Sequence, residues 1–65
     1  MEVAMRIPLT WNWRDEKRHL VAEIKDGETD LVIYKIWITS KQKWSYKTEP
    51  KSTIEFELNL LARDE

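Results

Sequence analysis

The side chains that could perform acid–base or metal chemistry are few in this chain. His19 is the one histidine, and there is no cysteine. A single imidazole beside a charged segment defines neither a general base nor a metal site, so we interpret His19 as an ordinary, partly exposed strand residue. The adjacent carboxylates at positions 15–16 and 64–65 lack the apolar surroundings that raise a catalytic pKa. We therefore predict no catalytic residue, no metal ligand and no cofactor.

The common phosphate-binding and calcium-binding loops are also missing. A glycine-rich phosphate loop needs several glycines, and Gly27 is the one glycine of the chain. Residues 26–30 lack the length and the ligand spacing of a calcium loop. The sequence offers no positive case for an enzyme.

Residues 41–51 combine aromatic rings with lysines, which is the composition of many platforms for single-stranded nucleic acid. This segment has four lysines and one glutamate, whereas residues 52–65 have one arginine and four acidic residues. In a strand, however, the even-numbered rings and the odd-numbered lysines face opposite sides, which favours rings in the core and lysines in solvent. Nucleic-acid binding is therefore our alternative hypothesis. Its candidate residues are Lys41, Lys43, Trp44, Tyr46 and Lys47.

Length and composition limit the class of protein. A chain of 65 residues has room for one small β domain, which we place at residues 1–65. A domain of this size buries only about 60% of the surface that its unfolded chain exposes. Without disulfides, oligomerisation is the remaining way to add stability. The net charge of −1 gives no overall positive field for nucleic acid. Because the N-terminal residues contain no long apolar stretch, we expect a soluble, cytoplasmic protein with no membrane partner.

An almost uninterrupted apolar run at residues 31–38 dominates the middle of the chain, with Lys35 as its one charge. In a strand, Leu31, Ile33 and Trp37 would lie on one face and the even-numbered residues on the other. A single sheet of this length shelters one of these sets, and the other becomes a contact surface. We predict an interface for a protein partner or a second copy of the chain. Its candidate residues are Tyr34, Ile36, Trp37 and Ile38.

The central run belongs to a predicted hairpin. The dipeptide Asp26-Gly27 separates two β-favouring segments, residues 19–25 and 31–39, and supplies the backbone freedom of a tight turn. A four-residue loop at 26–29 would set Lys25 opposite Asp30 and Ile24 opposite Leu31, which avoids a repulsive carboxylate pair. We therefore favour the longer loop.

Alternating apolar residues predict two further strands. The first covers residues 3–13 and contains Pro8, which restricts it to a sheet edge or a bulge because proline donates no backbone hydrogen bond. A charged stretch at residues 14–18 is interpreted as a solvated turn. Residues 43–48 alternate again and predict a fourth strand, followed by a loop at 49–52.

The last segment fits two periodicities. Ile54, Phe56, Leu58 and Leu60 alternate as in a strand, whereas a helix would place Ile54, Leu58 and Leu61 on one stripe and leave Phe56 aside. We predict a strand. The expected fold class is therefore all-β, a five-stranded antiparallel meander or barrel of SH3-like or OB-like size, and the alternative is a β-sheet with one C-terminal helix.

The expected function follows from the surplus of apolar side chains. We predict a non-catalytic protein-interaction module, either a homodimer or a small accessory or inhibitory subunit, that uses an apolar and aromatic sheet face. The alternative is a small β domain that binds single-stranded nucleic acid.

Overall fold

Four antiparallel strands and one helix build the fold in a computed structural model, which describes residues 6–63. The strands pair in chain order as an open meander, with β1 and β4 at the two edges. The fold is therefore α+β. The elements are β1 (Thr10–Trp13), β2 (Glu16–Asp26), β3 (Thr29–Ile38), β4 (Lys43–Pro50) and α1 (Lys51–Arg63).

The C-terminal segment is a helix, so the predictions of a fifth strand and of a closed barrel were wrong. The alternative, a sheet with one C-terminal helix, describes the fold. Ile54 is fully buried, Leu58 packs against the core, and Phe56 is 63% exposed. This pattern of burial matches the spacing of a helix and not the alternation of a strand. The physical reason is coverage: a fifth strand would extend one edge, whereas a helix shields a whole face of β3.

The central hairpin has the predicted register. Lys25 pairs with Asp30 and Ile24 with Leu31, and one more pair, between Asp26 and Thr29, closes the ladder. The turn itself therefore consists of residues 27 and 28, and the prediction of a four-residue loop at 26–29 was wrong. Gly27 has a φ of +67°, and a glycine in this conformation at the first loop position is typical of a type II′ turn.

The first strand is shorter than the alternation predicted. Val3 and Met5 lie outside the described residues, and residues 6–9 precede the first strand. Pro8 has no N–H to donate to a ladder, and Leu9 is 78% exposed instead of sharing the face of Trp11. The prediction that this strand lies at a sheet edge is confirmed for β1.

The charged stretch at residues 14–18 is a solvated turn for two residues only. Arg14 and Asp15 connect β1 to β2 with φ values of 52° and 69°. Arg18 already lies inside β2 and is 6% exposed, so its prediction as a solvated charge was wrong. A strand turns alternate side chains to opposite faces, and the position of Arg18 points it towards the helix.

The core lies between α1 and one face of the sheet. The even-numbered residues of β3, from Val32 to Ile36, form its floor, and Trp11 from β1 and Ile54 from α1 cover it. Trp11 is 6% exposed. Trp11 meets Tyr34 edge to face, with ring centroids 5.7 Å apart, a favourable geometry for aromatic pairs.

Arg18 and Glu57 form a buried ion pair that ties β2 to the helix. Arg18 Nη1 lies 2.7 Å from Glu57 Oε1, and Arg18 Nε lies 3.3 Å from Glu16 Oε1. The guanidinium also lies over the Tyr34 ring, 4.5 Å from its centroid. A buried guanidinium is tolerated only where carboxylates and hydrogen bonds replace its hydration, so this pair restricts how α1 can sit on the sheet.

The opposite face of the sheet has no helix over it. We call it the open face and define it as the odd-numbered residues of β3 from Leu31 to Trp37 together with their neighbours on the same side of the sheet. On β4 the register makes these neighbours Trp44, Tyr46, Thr48 and Pro50, and on β2 it makes them His19, Ala22 and Ile24. The same side of β2 continues to Lys17 at one end and to Asp26 at the other. One bulge, between Leu20 and Ala22, reverses the alternation of β2, so that its odd-numbered residues lie on the open face before the bulge and its even-numbered residues lie there after it.

Candidate functional site

The four residues of the predicted interface lie on both sides of the sheet. Tyr34 and Ile36 are buried beneath the helix, and Ile38 is half-buried against the same core. Trp37 lies on the open face and is 48% exposed. The odd-numbered residues of β3 thus lie on the open face, and Trp37 is the one predicted interface residue among them.

Aromatic rings gather at one end of the open face. Trp44 meets Trp37 edge to face with ring centroids 5.2 Å apart, and it meets His19 in the same way at 5.1 Å. Tyr46 follows on β4 and is 61% exposed. The prediction that the Trp44 and Tyr46 rings face the core was wrong, because α1 lies on the other side of the sheet.

Cations accompany these rings. Lys35 Nζ lies 4.3 Å from the centroid of the Trp44 ring, a cation–π contact. Lys17 lies on the same side of the sheet, opposite Asn12 of β1. Among the described residues, Asp26 is the one strand carboxylate placed on the open face, at the far end of β2. The open face therefore has a basic aromatic end and one acidic group at the opposite end.

Aliphatic side chains cover the other half of the open face. Ala22 pairs with Ile33, and Ile24 pairs with Leu31, all on the side away from the helix. Leu31 and Ile33 are half-buried by their neighbours, while Ile24 remains 45% exposed. Adjacent apolar side chains of this kind on a sheet face form a patch that water solvates poorly.

The lysines that we predicted to bind nucleic acid do not lie on the sheet face that carries the aromatic rings. Lys43 is opposite Ile38 and Lys47 is opposite Tyr34, which places both lysines on the helix side of the edge strand β4, while Lys41 lies in the turn before it. Lysines on an edge strand discourage pairing with other chains. Edge protection is therefore a structural reason for part of this basic segment.

The carboxylates of the helix side are largely paired. Lys51 Nζ lies 3.1 Å from Glu23 Oε1, and this hydrogen bond, together with the charge of Glu23, raises the pKa of the Lys51 ammonium. Glu49 accepts a hydrogen bond from the Tyr34 hydroxyl. Both glutamates are paired with Val32 in the strand register, which places them on the helix side and not on the open face.

Neither a metal site nor an acid–base pair stands out in the described part of the chain. Residues 6–63 contain no group of three or more potential metal-ligating side chains, and no helix there is long and apolar enough to cross a membrane. A cavity of about 500 Å³ lies between the first turn and the end of α1. Its lining supplies two guanidinium groups but no carboxylate or imidazole: Trp13, Arg14, Leu60, Leu61 and Arg63.

Sequence reasoning missed Lys35 and His19 as members of a surface cluster. Lys35 is the one charge in the central apolar run, and a charge in such a run marks the side of the strand that stays in contact with water. His19 could not be assigned in this way, because its contact with Trp44 joins strands β2 and β4 that are not neighbours.

Comparison with protein family models, with curated proteins and with solved structures found no match. The fold and the surface therefore define the class on their own: a small α+β protein with a four-stranded antiparallel meander, one C-terminal helix and one uncovered, partly aromatic sheet face.

Proposed function

We propose that this protein is a non-catalytic protein-interaction module and that the open face is its contact surface. The observation that carries the proposal is that an aliphatic patch around Ile24 and Ile33 and an aromatic cluster at Trp37 share one uncovered sheet face. The row that contains Lys35 lies between them. Large amphipathic rings beside aliphatic side chains are the composition of interface centres.

Binding of an apolar fluorescent dye to dilute protein tests whether the open face is an accessible apolar patch. We expect the wild type to enhance the fluorescence of the dye 8-anilinonaphthalene-1-sulfonate, and we expect Trp37→Lys to reduce this enhancement several-fold. Phe56→Lys is the matched control, because Phe56 is similarly exposed but lies on the helix. An enhancement that is absent, or that depends on Phe56 and not on Trp37, would contradict the proposal.

Single-stranded nucleic acid is the second candidate partner, and the Lys35–Trp44 contact favours it. A ring with a cation beside it combines base stacking with phosphate attraction. Asp26, the one described strand carboxylate on the open face, lies at the other end.

A tryptophan-fluorescence titration with single-stranded DNA and RNA at two salt concentrations tests this second candidate. Binding through phosphates must weaken steeply as salt rises. Lys35→Ala should weaken the binding, and Lys47→Ala, on the helix side, should have a smaller effect. An affinity that does not change with salt concentration, or equal effects of the two substitutions, would contradict nucleic-acid binding at the aromatic end of the open face.

A further inference from the structure

We propose that the partner of the open face is a second copy of this chain, packed face to face with reversed strand direction. This inference rests on the proposed function of the same face. Two copies related by a two-fold axis must present the same surface to each other, so the surface has to complement itself.

The register arranges the open face in rows across the strands. Trp37 and Trp44 form one end row, and Lys17 belongs with them because it lies one residue beyond the Arg18–Ile36 pair. The next row contains His19, Lys35 and Tyr46. Then come Ala22 with Ile33 and Ile24 with Leu31, and Asp26 ends the face. Charge thus changes sign along the strands.

This charge pattern selects one of two face-to-face arrangements. A two-fold axis along the strands would bring the basic end of one copy against the basic end of the other. An axis that lies in the sheet plane across the strands places the end with Lys17 over the end with Asp26 of the second copy. Opposite charges then face each other twice, once at each end of the interface.

Packing in this arrangement is also self-complementary. The row of Ala22 and Ile33 lies on the two-fold axis, where the small alanine side chain permits close approach of the two β2 strands. Lys35 then lies over Leu31 of the second copy, where its methylene stem covers apolar surface while the ammonium stays at Trp44. Sheets packed face to face normally lie about 10 Å apart.

The available area suits a dimer of modest affinity. Four strands spaced about 4.8 Å apart and about eight residues long give roughly 500 Å² per copy. Two such faces bury roughly 1,000 Å² in total, which is the lower limit for a specific interface. We therefore expect a reversible dimer whose population depends on concentration.

Sedimentation equilibrium of the full chain tests the inference. The wild type should show a reversible monomer–dimer equilibrium. Lys17→Glu and Asp26→Lys should each weaken dimerisation roughly tenfold, because each replaces two attractive contacts by two repulsive ones. The double variant should recover most of the wild-type affinity, which a change that merely damages the fold would not do. Lys47→Glu is the control with the same charge change on the helix side.

The possible outcomes separate this inference from the proposed function. A wild type that stays monomeric at every concentration, or a dimer that neither charge reversal weakens, would overturn the second copy as partner. If dye binding at Trp37 persists in such a monomer, the open face remains a contact surface for another protein. Salt-sensitive binding of nucleic acid to the monomer would instead identify the occupant as nucleic acid.

Discussion

Tyr34 shows how one residue joins the two structural layers. Its ring forms part of the core floor and contacts Trp11 and Arg18, and its hydroxyl donates a hydrogen bond to Glu49 at the edge strand. Burial raises the pKa of the Tyr34 hydroxyl, and the hydrogen bond to Glu49 raises it further. The neutral, protonated tyrosine is therefore the form that stabilises the native state.

Tyr34→Phe should lower the free energy of unfolding by about 1–2 kcal/mol, because Glu49 loses its donor. The sign of the pH effect follows from the raised pKa: the stabilisation by the protonated hydroxyl is complete below the unfolded tyrosine pKa of about 10 and is lost as pH rises beyond it. Urea denaturation at increasing alkaline pH should show a steeper loss for the wild type than for Tyr34→Phe. Tyr46→Phe, at an exposed ring, serves as the control and should keep the wild-type slope.

The turn between β1 and β2 contains two of the three described non-glycine residues that have a positive φ. Arg14 and Asp15 both have positive φ values, which L-residues adopt at a cost and glycine adopts without one. Two-residue hairpin turns with two such residues favour Asn-Gly for this reason.

Asp15→Gly should therefore raise the free energy of unfolding by about 0.5–1 kcal/mol, measured by urea denaturation. The matched control is Glu28→Gly in the other hairpin. Glu28 is not among the residues with positive φ, so glycine there adds flexibility without relieving strain and should destabilise. Equal effects of the two substitutions would argue against a strained first turn.

At the scale of elements, the helix and β3 determine which surface is buried. α1 begins at Lys51 immediately after β4 ends at Pro50, so the predicted loop at residues 49–52 is absent and the chain turns directly across the sheet. The buried pair of Arg18 and Glu57 then holds the helix against β2. Because the helix covers the even-numbered face of β3, the odd-numbered face stays open.

Glu57→Ala should lower the free energy of unfolding by roughly 3 kcal/mol, because Arg18 would remain buried without its closest carboxylate. Thermal or chemical unfolding measures this loss. Glu55→Ala, two residues earlier on the same helix, removes a carboxylate that forms no ion pair with another described residue and should cost far less. Similar losses for both variants would mean that helix propensity, rather than the ion pair, controls the docking of α1.

At the scale of the whole molecule, one helix cannot cover both faces of a four-stranded sheet. The described Cα atoms extend 45 × 35 × 15 Å, a thin slab in which one layer of sheet carries one layer of helix. Chains of this length gain little stability from their core alone. Covering the open face with a second copy would add the missing apolar burial.

If the second copy covers the open face, the apparent melting temperature should rise with protein concentration, because binding between native chains stabilises them by mass action. Circular dichroism melts across a dilution series measure this dependence. Lys17→Glu should flatten it, and Lys47→Glu should not. A melting temperature independent of concentration in the wild type would show that the folded monomer is stable without a partner.

The amino-acid sequence determined those features that depend on neighbouring residues. The hairpin register follows from Gly27 and from the charges of Lys25 and Asp30. The alternation at residues 43–48 was sufficient to predict strand β4. The two faces of β3 were also divided correctly, because side-chain alternation in a strand is a local property.

Only the tertiary structure decided which of these faces is buried and how the last segment folds. The alternation at residues 54–60 favours a strand on local grounds, but the outcome depends on which surface of β3 remains to be covered. Trp44 and Tyr46 were consequently assigned to the wrong environment, and Arg18 was placed in solvent although the helix supplies its partner. These assignments depend on contacts between residues far apart in the chain, which local periodicity does not contain.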